Sequence, residues 1–515
     1  MAGIEQKIRF YKRLLHIFLV LSLYFCSYII NTITIMKKLN SETAVKTVRP
    51  EKVIQFGEGN FLRCFVDWII SNMNEKTDFN GNVVVVQPIE KGMIDMINQQ
   101  DGLYHVNLQG LEKGEVINSY RMIDVISRCL NPYKEYASYL ALAEQPEIRF
   151  VISNTTEAGI TFDPACQLED TPPASYPAKL TQLLYHRYKF FHGAADKGLI
   201  IFPCELIFLN GHKLKETIYQ YIELWQLEEE FKSWFETACG VYATLVDRIV
   251  PGFPRKTIDS IKEHLGYDDN LVVQGEAFHL WVIEAPQSVE NEFPASKAGL
   301  NVLFVPSEKP YHERKVTLLN GTHTILSPIA YLSGIDIVRD ACQDAVIGKY
   351  IRKVMAEELM QTLSLPEDEL KAFAASVIER FENPFVDHQV TSIMLNAFPK
   401  FTARDLPSVK EYYSRKGVLP YGIVLGLAAL IVYYKGGCRA DGAEIVPNDA
   451  PEIMEFVKDA WKTENLGEVA RQVLGAEFVW GEDLNEVPGL TQLVTDMLTD
   501  ICGKGMYQVV KAYVG

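Results

Sequence analysis

"VIQFGEGNFLRCF", residues 53–65, sets a run of apolar strand-formers against two glycines and continues into what reads as the first turn of a helix. A strand that turns abruptly into a helix leaves unpaired backbone N–H groups, and these suit a pyrophosphate when no side chain blocks its approach. Gly57 and Gly59 meet that condition, but Leu62 stands where the third glycine of G-x-G-x-x-G belongs. The motif is incomplete, so its neighbours must decide. "FLRCFVDWIISNM" (61–73) has apolar residues at helical spacing, and "NVVVVQPI" (82–89) is a continuous β-branched run of the kind shown by a parallel strand buried on both faces. The order is β-α-β. A ribose-reading acid is expected at the end of the second strand, where Gln87 stands, with Glu90 shortly after as the candidate or as an exposed loop carboxylate.

Further strand-like runs at "RFVISNTT" (149–156) and "GLIIFPCEL" (198–206) alternate with helical stretches such as residues 177–191, which predicts a doubly wound α/β domain over 49–275. Thr156 and Glu157 follow a strand's carboxyl end and are placed near a nicotinamide. From about residue 276 to 515 the long segments are helix-periodic, "YGIVLGLAALIVYY" (421–434) among them, and a mainly helical second domain is expected.

The chain of 515 residues is 48% hydrophobic and 23% charged, ordinary for a globular protein large enough for two or three domains. Its formal net charge of −16, with the acids spread along the chain, offers no basic surface for a phosphate backbone, so nucleic acid is not an expected partner. Nine scattered cysteines without a C-x-x-C pair fit reduced thiols in a reducing compartment. Residues 14–30, "LLHIFLVLSLYFCSYII", preceded by four cations, resemble an uncleaved signal anchor near the lower length limit for a span. The alternative is that residues 1–35 are an upstream extension outside the fold, with Met36 opening an ordinary cytoplasmic start. We expect the extension, hence a cytoplasmic protein without a membrane partner.

The stretch "KVTLLNGTHTIL" (315–326) carries candidate chemistry. Asn320 and His323 stand three apart and share a helix face, while Lys315 lies two turns upstream with a long stem. Oxidising a secondary alcohol needs a base for the hydroxyl proton, and a lysine whose charged form is disfavoured by burial can serve, with an amide donor holding the oxygen. A straight helix would separate residues 315 and 323 by roughly 12 Å along its axis. A surface lysine, an Asn-Gly break and a core histidine fit the same spacing.

Gly57, Gly59, Asn60, Phe61 and Arg63 in "GEGNFLR", "LVDRIVP" (245–251), "EAFHLWVIE" (276–284) and K-x4-N-G-x-H (315–323) together resemble the long-chain mannitol dehydrogenase family of polyol oxidoreductases, from about residue 50 onward. "SNTTEAGI", "YPAKLT", "PCEL" and "NPF" resemble the branch acting on keto-uronates. The resemblance implies a zinc-independent, NAD-linked enzyme with an N-terminal Rossmann-type domain, a helical C-terminal domain and the site between them. It implies a cofactor contact for the glycine-turn residues, Lys315 as general acid/base, Asn320 as its amide partner, His323 as a hydroxyl ligand and Lys400 in "FPKF" as a second substrate contact. The implied pair is D-tagaturonate and D-altronate, with fructuronate/mannonate or a mannitol-type polyol as alternatives. A non-catalytic, membrane-tethered nucleotide-binding protein is the rival of another class. Polyol members carry "CDN" where this chain has "CEL", so Leu206 replaces an asparagine and Glu205 is the neighbour to inspect. A uronate carboxylate asks for a further cation, and Arg404 is the candidate.

Overall fold

The computed structural model describes residues 36–156 and 158–515; Glu157 and the apolar segment 14–30 lie outside them. The apolar runs of the first half become a six-stranded parallel sheet. Its spatial order is 126–130, 82–86, 51–56, 150–153, 200–203 and 240–241. In order of appearance this is 3-2-1-4-5-6, the doubly wound dinucleotide-binding arrangement, and its direction of winding reverses between strands 51–56 and 150–153. Strand Asn82–Val86 is buried at every position, as a strand covered on both faces must be. Strand Glu51–Phe56 sends Val53 into one hydrophobic cluster and Ile54 and Phe56 into the other, one on each face of the sheet.

A hairpin, Tyr104–Glu112 with Glu115–Ile123, leaves this sheet and pairs in parallel with Val273–Glu276. A third small sheet joins Thr244–Asp247, Leu280–Glu284 and Val302–Val305. Strand character therefore continues past residue 276, where the sequence predicts helices. The reason is in the alternation of "LWVIE": Leu280 and Val282 pack into the core of the helical half, while Trp281 and Ile283 pack into the core of the nucleotide-binding half. A strand whose two faces serve two cores forms the seam between them, and polar-apolar alternation never appears in its sequence.

Beyond residue 305 the chain is almost wholly helical. Helix Tyr421–Tyr434 is apolar on all sides and buried on nearly all of them, so it is the central rod of this half. At 14 residues it falls short of the roughly 20 needed to cross a bilayer, and among the described residues no helix is long and apolar enough to do so.

Candidate active site

The nucleotide-binding turn follows from Gly57. Its φ of +122° is a conformation that favours glycine, and a Cβ there would stand 2.9 Å from the Asn154 carbonyl oxygen. The turn therefore packs directly against the end of strand Phe150–Ser153. Gly59 precedes helix Asn60–Cys64, with open space where a Cβ would be. Arg63 does not face this space. It is buried, and its guanidinium donates to the Glu58 carbonyl (3.1 Å), the Leu271 carbonyl (2.6 Å) and Asn60 Oδ1 (2.8 Å), which fixes the turn and the side chain of Asn60. Phe61 stacks on Phe65 at 5.1 Å and lines the cleft. At the end of the second strand Gln87 is buried and donates to the Ile89 and Glu90 carbonyls, while the Glu90 side chain is exposed. Glu58, the residue between the two glycines, accepts from Met93 N–H at 3.4 Å and so ties the turn to this loop.

The cleft beside the turn has a volume of about 830 Å³ and runs from Phe61, Asn154 and Thr156 to Lys315, Asn320, His323 and Arg380. It thus spans the point where the sheet's winding reverses and the first helix of the second half. That helix is not straight α. Lys309–Lys315 is α-helical, Val316–Gly321 forms a π-helical turn, and Thr322–Leu332 returns to α. An α-helix would turn residue i+5 about 140° away from residue i. In a π turn the hydrogen bond runs from i to i+5, so the two residues lie nearly above one another, and Lys315, Asn320 and His323 face one cleft. The expected straight helix is thereby corrected. Gly321 lies close against Asp405, whose Oδ1 would stand 2.7 Å from a Cβ, so the turn is pressed onto the helix Leu406–Lys416 at its start.

Lys315 Nζ donates to the Val246 carbonyl at 3.0 Å and lies 3.5 Å from Asp247 Oδ1. Asp247 also takes two bonds from Arg380, at 3.0 and 3.1 Å, and Arg380 takes Glu276 with two more at 2.9 Å. Asp247, Glu276 and Arg380 are buried, and Lys315 is half-buried at the cleft. Burial pushes the Asp247 carboxyl up, but Arg380 and Lys315 outweigh it and hold it below its ordinary value; burial leaves Glu276 above its own despite Arg380. Asp247, Glu276 and Arg380 form a charge network at the cleft that the sequence does not single out. The first two lie inside quoted motifs without a role, and nothing local in sequence joins them to residue 380.

His323 is stacked on Phe381 at 4.1 Å, and burial together with His388, Arg380 and Arg404 holds its imidazole far below the ordinary histidine range. Its Nε2 is buried and has no hydrogen-bond partner among the described residues. The Asn320 side chain likewise makes no hydrogen bond to a described residue, whereas the amide of Asn154 is engaged by the Cys204 carbonyl at 2.9 Å. Leu206 is exposed on the cleft wall. Glu205 does not line this cleft but borders a smaller cavity that Lys315 and Asn320 also line; it is buried and accepts from Ser153 Oγ and from the backbone and hydroxyl of Thr155, so it anchors the loop carrying Thr156, whose φ is +84°. Lys400 donates to the Ile393 carbonyl and Arg404 to Thr324 Oγ1, and neither lines the cleft. Among the described residues no group of three His, Cys, Asp or Glu side chains is placed to hold a metal ion.

The comparisons with known proteins agree with this architecture. The model described as "Mannitol dehydrogenase Rossmann domain" matches residues 51–297, and that described as "Mannitol dehydrogenase C-terminal domain" matches 308–502. A Phocaeicola vulgatus protein named altronate oxidoreductase is 73% identical over 92% of this chain and 99% of its own. A Bacillus subtilis protein of the same name is 44% identical over 93% and 98%. Among solved structures, D-sorbitol dehydrogenase in substrate-free form has a TM-score of 0.74 at 19% identity, covering 90% of this chain and 95% of that one. The ternary complex of Pseudomonas fluorescens mannitol 2-dehydrogenase with NAD and D-mannitol has a TM-score of 0.62 at 21% identity, covering 93% and 99%. The chain belongs to the mannitol dehydrogenase family.

Proposed function

We propose that this chain is an NAD-linked oxidoreductase that interconverts D-tagaturonate and D-altronate. The observation that carries the reading is the convergence of Lys315, Asn320 and His323 on one cleft at the reversal point of a dinucleotide-binding sheet. The relatives named altronate oxidoreductase, up to 73% identical, give the substrate class.

The glycine turn fits the cofactor. Gly57 lets the backbone pass the Asn154 carbonyl, and the open space at Gly59 leaves room for a pyrophosphate beside the first N–H groups of helix Asn60–Cys64. We assign Phe61, Asn154 and Thr156, which line the cleft, to the nicotinamide end and exposed Glu90 to the ribose. When bound, the nicotinamide supplies the two-electron carrier for the carbonyl carbon. In the reducing direction Lys315 gives a proton to the carbonyl oxygen as it becomes an alkoxide, and in the oxidising direction it takes the hydroxyl proton. The Asn320 amide donates to the same oxygen from a fixed position. Neutral His323 offers one nitrogen as donor and one as acceptor, which suits an adjacent hydroxyl. Asp247 and the Val246 carbonyl hold Lys315 in place while its charge changes. The eight described cysteines are all free, consistent with activity in the cytoplasm.

Steady-state NADH oxidation by the purified protein with D-tagaturonate, D-fructuronate and a neutral ketohexose tests the reading. Tagaturonate is expected to have the highest kcat/KM; faster turnover of either competitor would overturn it.

A further inference from the structure

The cleft does not end at His323. A second chamber of about 300 Å³ shares Ile249, Leu319, His323 and Arg380 with it and continues to Asn383 and His388. We propose that this chamber receives the carboxylate of the sugar acid and is what makes the enzyme select an acid over a neutral ketose. The inference rests on the functional reading above.

Three features support it. First, the chamber presents donors that the protein leaves unused. A guanidinium has five N–H donors, and Arg380 spends four of them, one from Nε, one from Nη1 and two from Nη2, on Glu276 and Asp247. One Nη1–H remains. The Asn383 side chain accepts from Phe385 N–H through Oδ1 at 2.9 Å, but its Nδ2 has no acceptor among the described residues. The His388 ring also has no hydrogen bond there, and meets His323 edge-on at 5.1 Å. Second, the acids at the chamber are already paired. Asp247 and Glu276 share Arg380, Lys315 lies 3.5 Å from Asp247 as the second cation, and Asp387 is held by Arg339 at 2.7 Å, so an incoming carboxylate meets compensated charge. Third, the order of the residues along the two chambers suits the substrate. The carboxylate lies at the far end of a six-carbon chain from the carbonyl, and a chain with its carbonyl at Lys315 and Asn320 passes His323 before it enters the second chamber. Arg404, the cation singled out from sequence, borders neither chamber and donates instead to Thr324.

Asn383→Asp keeps the acceptor for Phe385 and sets a carboxylate against the anion; His388→Phe keeps the aromatic edge against His323 and removes the ring nitrogens. Each is expected to raise the KM for tagaturonate roughly 10- to 100-fold, the range for one contact to a charged group, while changing kcat/KM for a neutral ketohexose less than about twofold. The dissociation constant of D-altronate, read by calorimetry, should weaken by the same factor. If the unaltered enzyme does not turn over tagaturonate, the functional reading itself fails. If it does, and both variants affect acid and neutral substrate equally or not at all, the carboxylate site is wrong. It is equally wrong if Arg404→Gln alone separates the two substrates.

Discussion

The two ends of the cleft are built from different materials. At the cofactor end the work is done by backbone: a turn shaped by Gly57, the first helical N–H groups after Gly59, and side chains such as Arg63 and Glu205 that hold the turn and loop in place. At the substrate end it is done by side chains, and their positions depend on a π turn and a buried charge network that ties residue 247 to residues 276, 315 and 380. Backbone function tolerates most side-chain changes and fails at a glycine, whereas a side-chain network loses function wherever one member is removed. Substitutions at the two ends should therefore differ sharply in their cost.

The largest effect is expected at Lys315. Lys315→Ala removes proton transfer and leaves the glycine turn untouched, so kcat should fall about 10²- to 10⁴-fold while the dissociation constant for NADH, measured by fluorescence titration, stays within about twofold. Near-normal turnover would end its assignment as general acid/base. A matching loss of NADH affinity would show that the two ends are not separable.

Arg380 comes next, and there the readout is stability. Arg380→Met leaves Asp247 and Glu276 buried without their partner, a change that costs roughly 3–5 kcal/mol for a broken buried pair. The sign of its pH dependence follows from Asp247. Arg380 and Lys315 hold that carboxyl below its ordinary value in the fold, so its contribution is present above about pH 4 and is lost as pH falls through the folded value. The gap between the parent and Arg380→Met should accordingly narrow below about pH 4, measured by urea unfolding at pH 7 and at about pH 3. A gap independent of pH would mean that the loss comes from packing, for instance against Phe278, over which the guanidinium lies at 4.4 Å.

The same contrast explains what the sequence revealed. The parallel sheet and the glycine turn are written in contiguous runs, since "VIQFGEGNF" and "NVVVV" each fix a strand and its end locally. Lys315, Asn320 and His323 are visible as residue types, yet their alignment is not, because the π turn that unites them depends on what packs around it, Asp405 included. Arg380 stands 133 positions from Asp247, so no local pattern predicts that pair. Lys400, implied by the resemblance, and Arg404, suggested by the need for a cation, each donate to a neighbour, Lys400 to the Ile393 carbonyl and Arg404 to Thr324 Oγ1, and these contacts are not legible in the sequence. The strands at 280–284 and 302–305 leave no period-two signal in the sequence because a seam strand that packs on both faces lacks polar-apolar alternation.

The smallest effect is expected at Glu90, and it tests whether the cofactor end really is insensitive to side chains. The Glu90 backbone is fixed, its carbonyl accepting from Gln87 Nε2 at 2.9 Å and Asn131 Nδ2 at 3.1 Å, while its carboxylate is exposed, followed by exposed Lys91. An exposed carboxylate acts on a 2′-phosphate through solvent, so its repulsion is modest and screened by salt. Glu90→Gln should then improve kcat/KM for NADPH by about fivefold at low ionic strength, and by clearly less at ten times that salt, with NADH changed less than about twofold. If NADH suffered as well, Glu90 would be holding the ribose hydroxyls directly. If NADPH gained nothing at either salt, Lys91 would already be neutralising the carboxylate, and the preference for NADH would have to come from the backbone at Gln87.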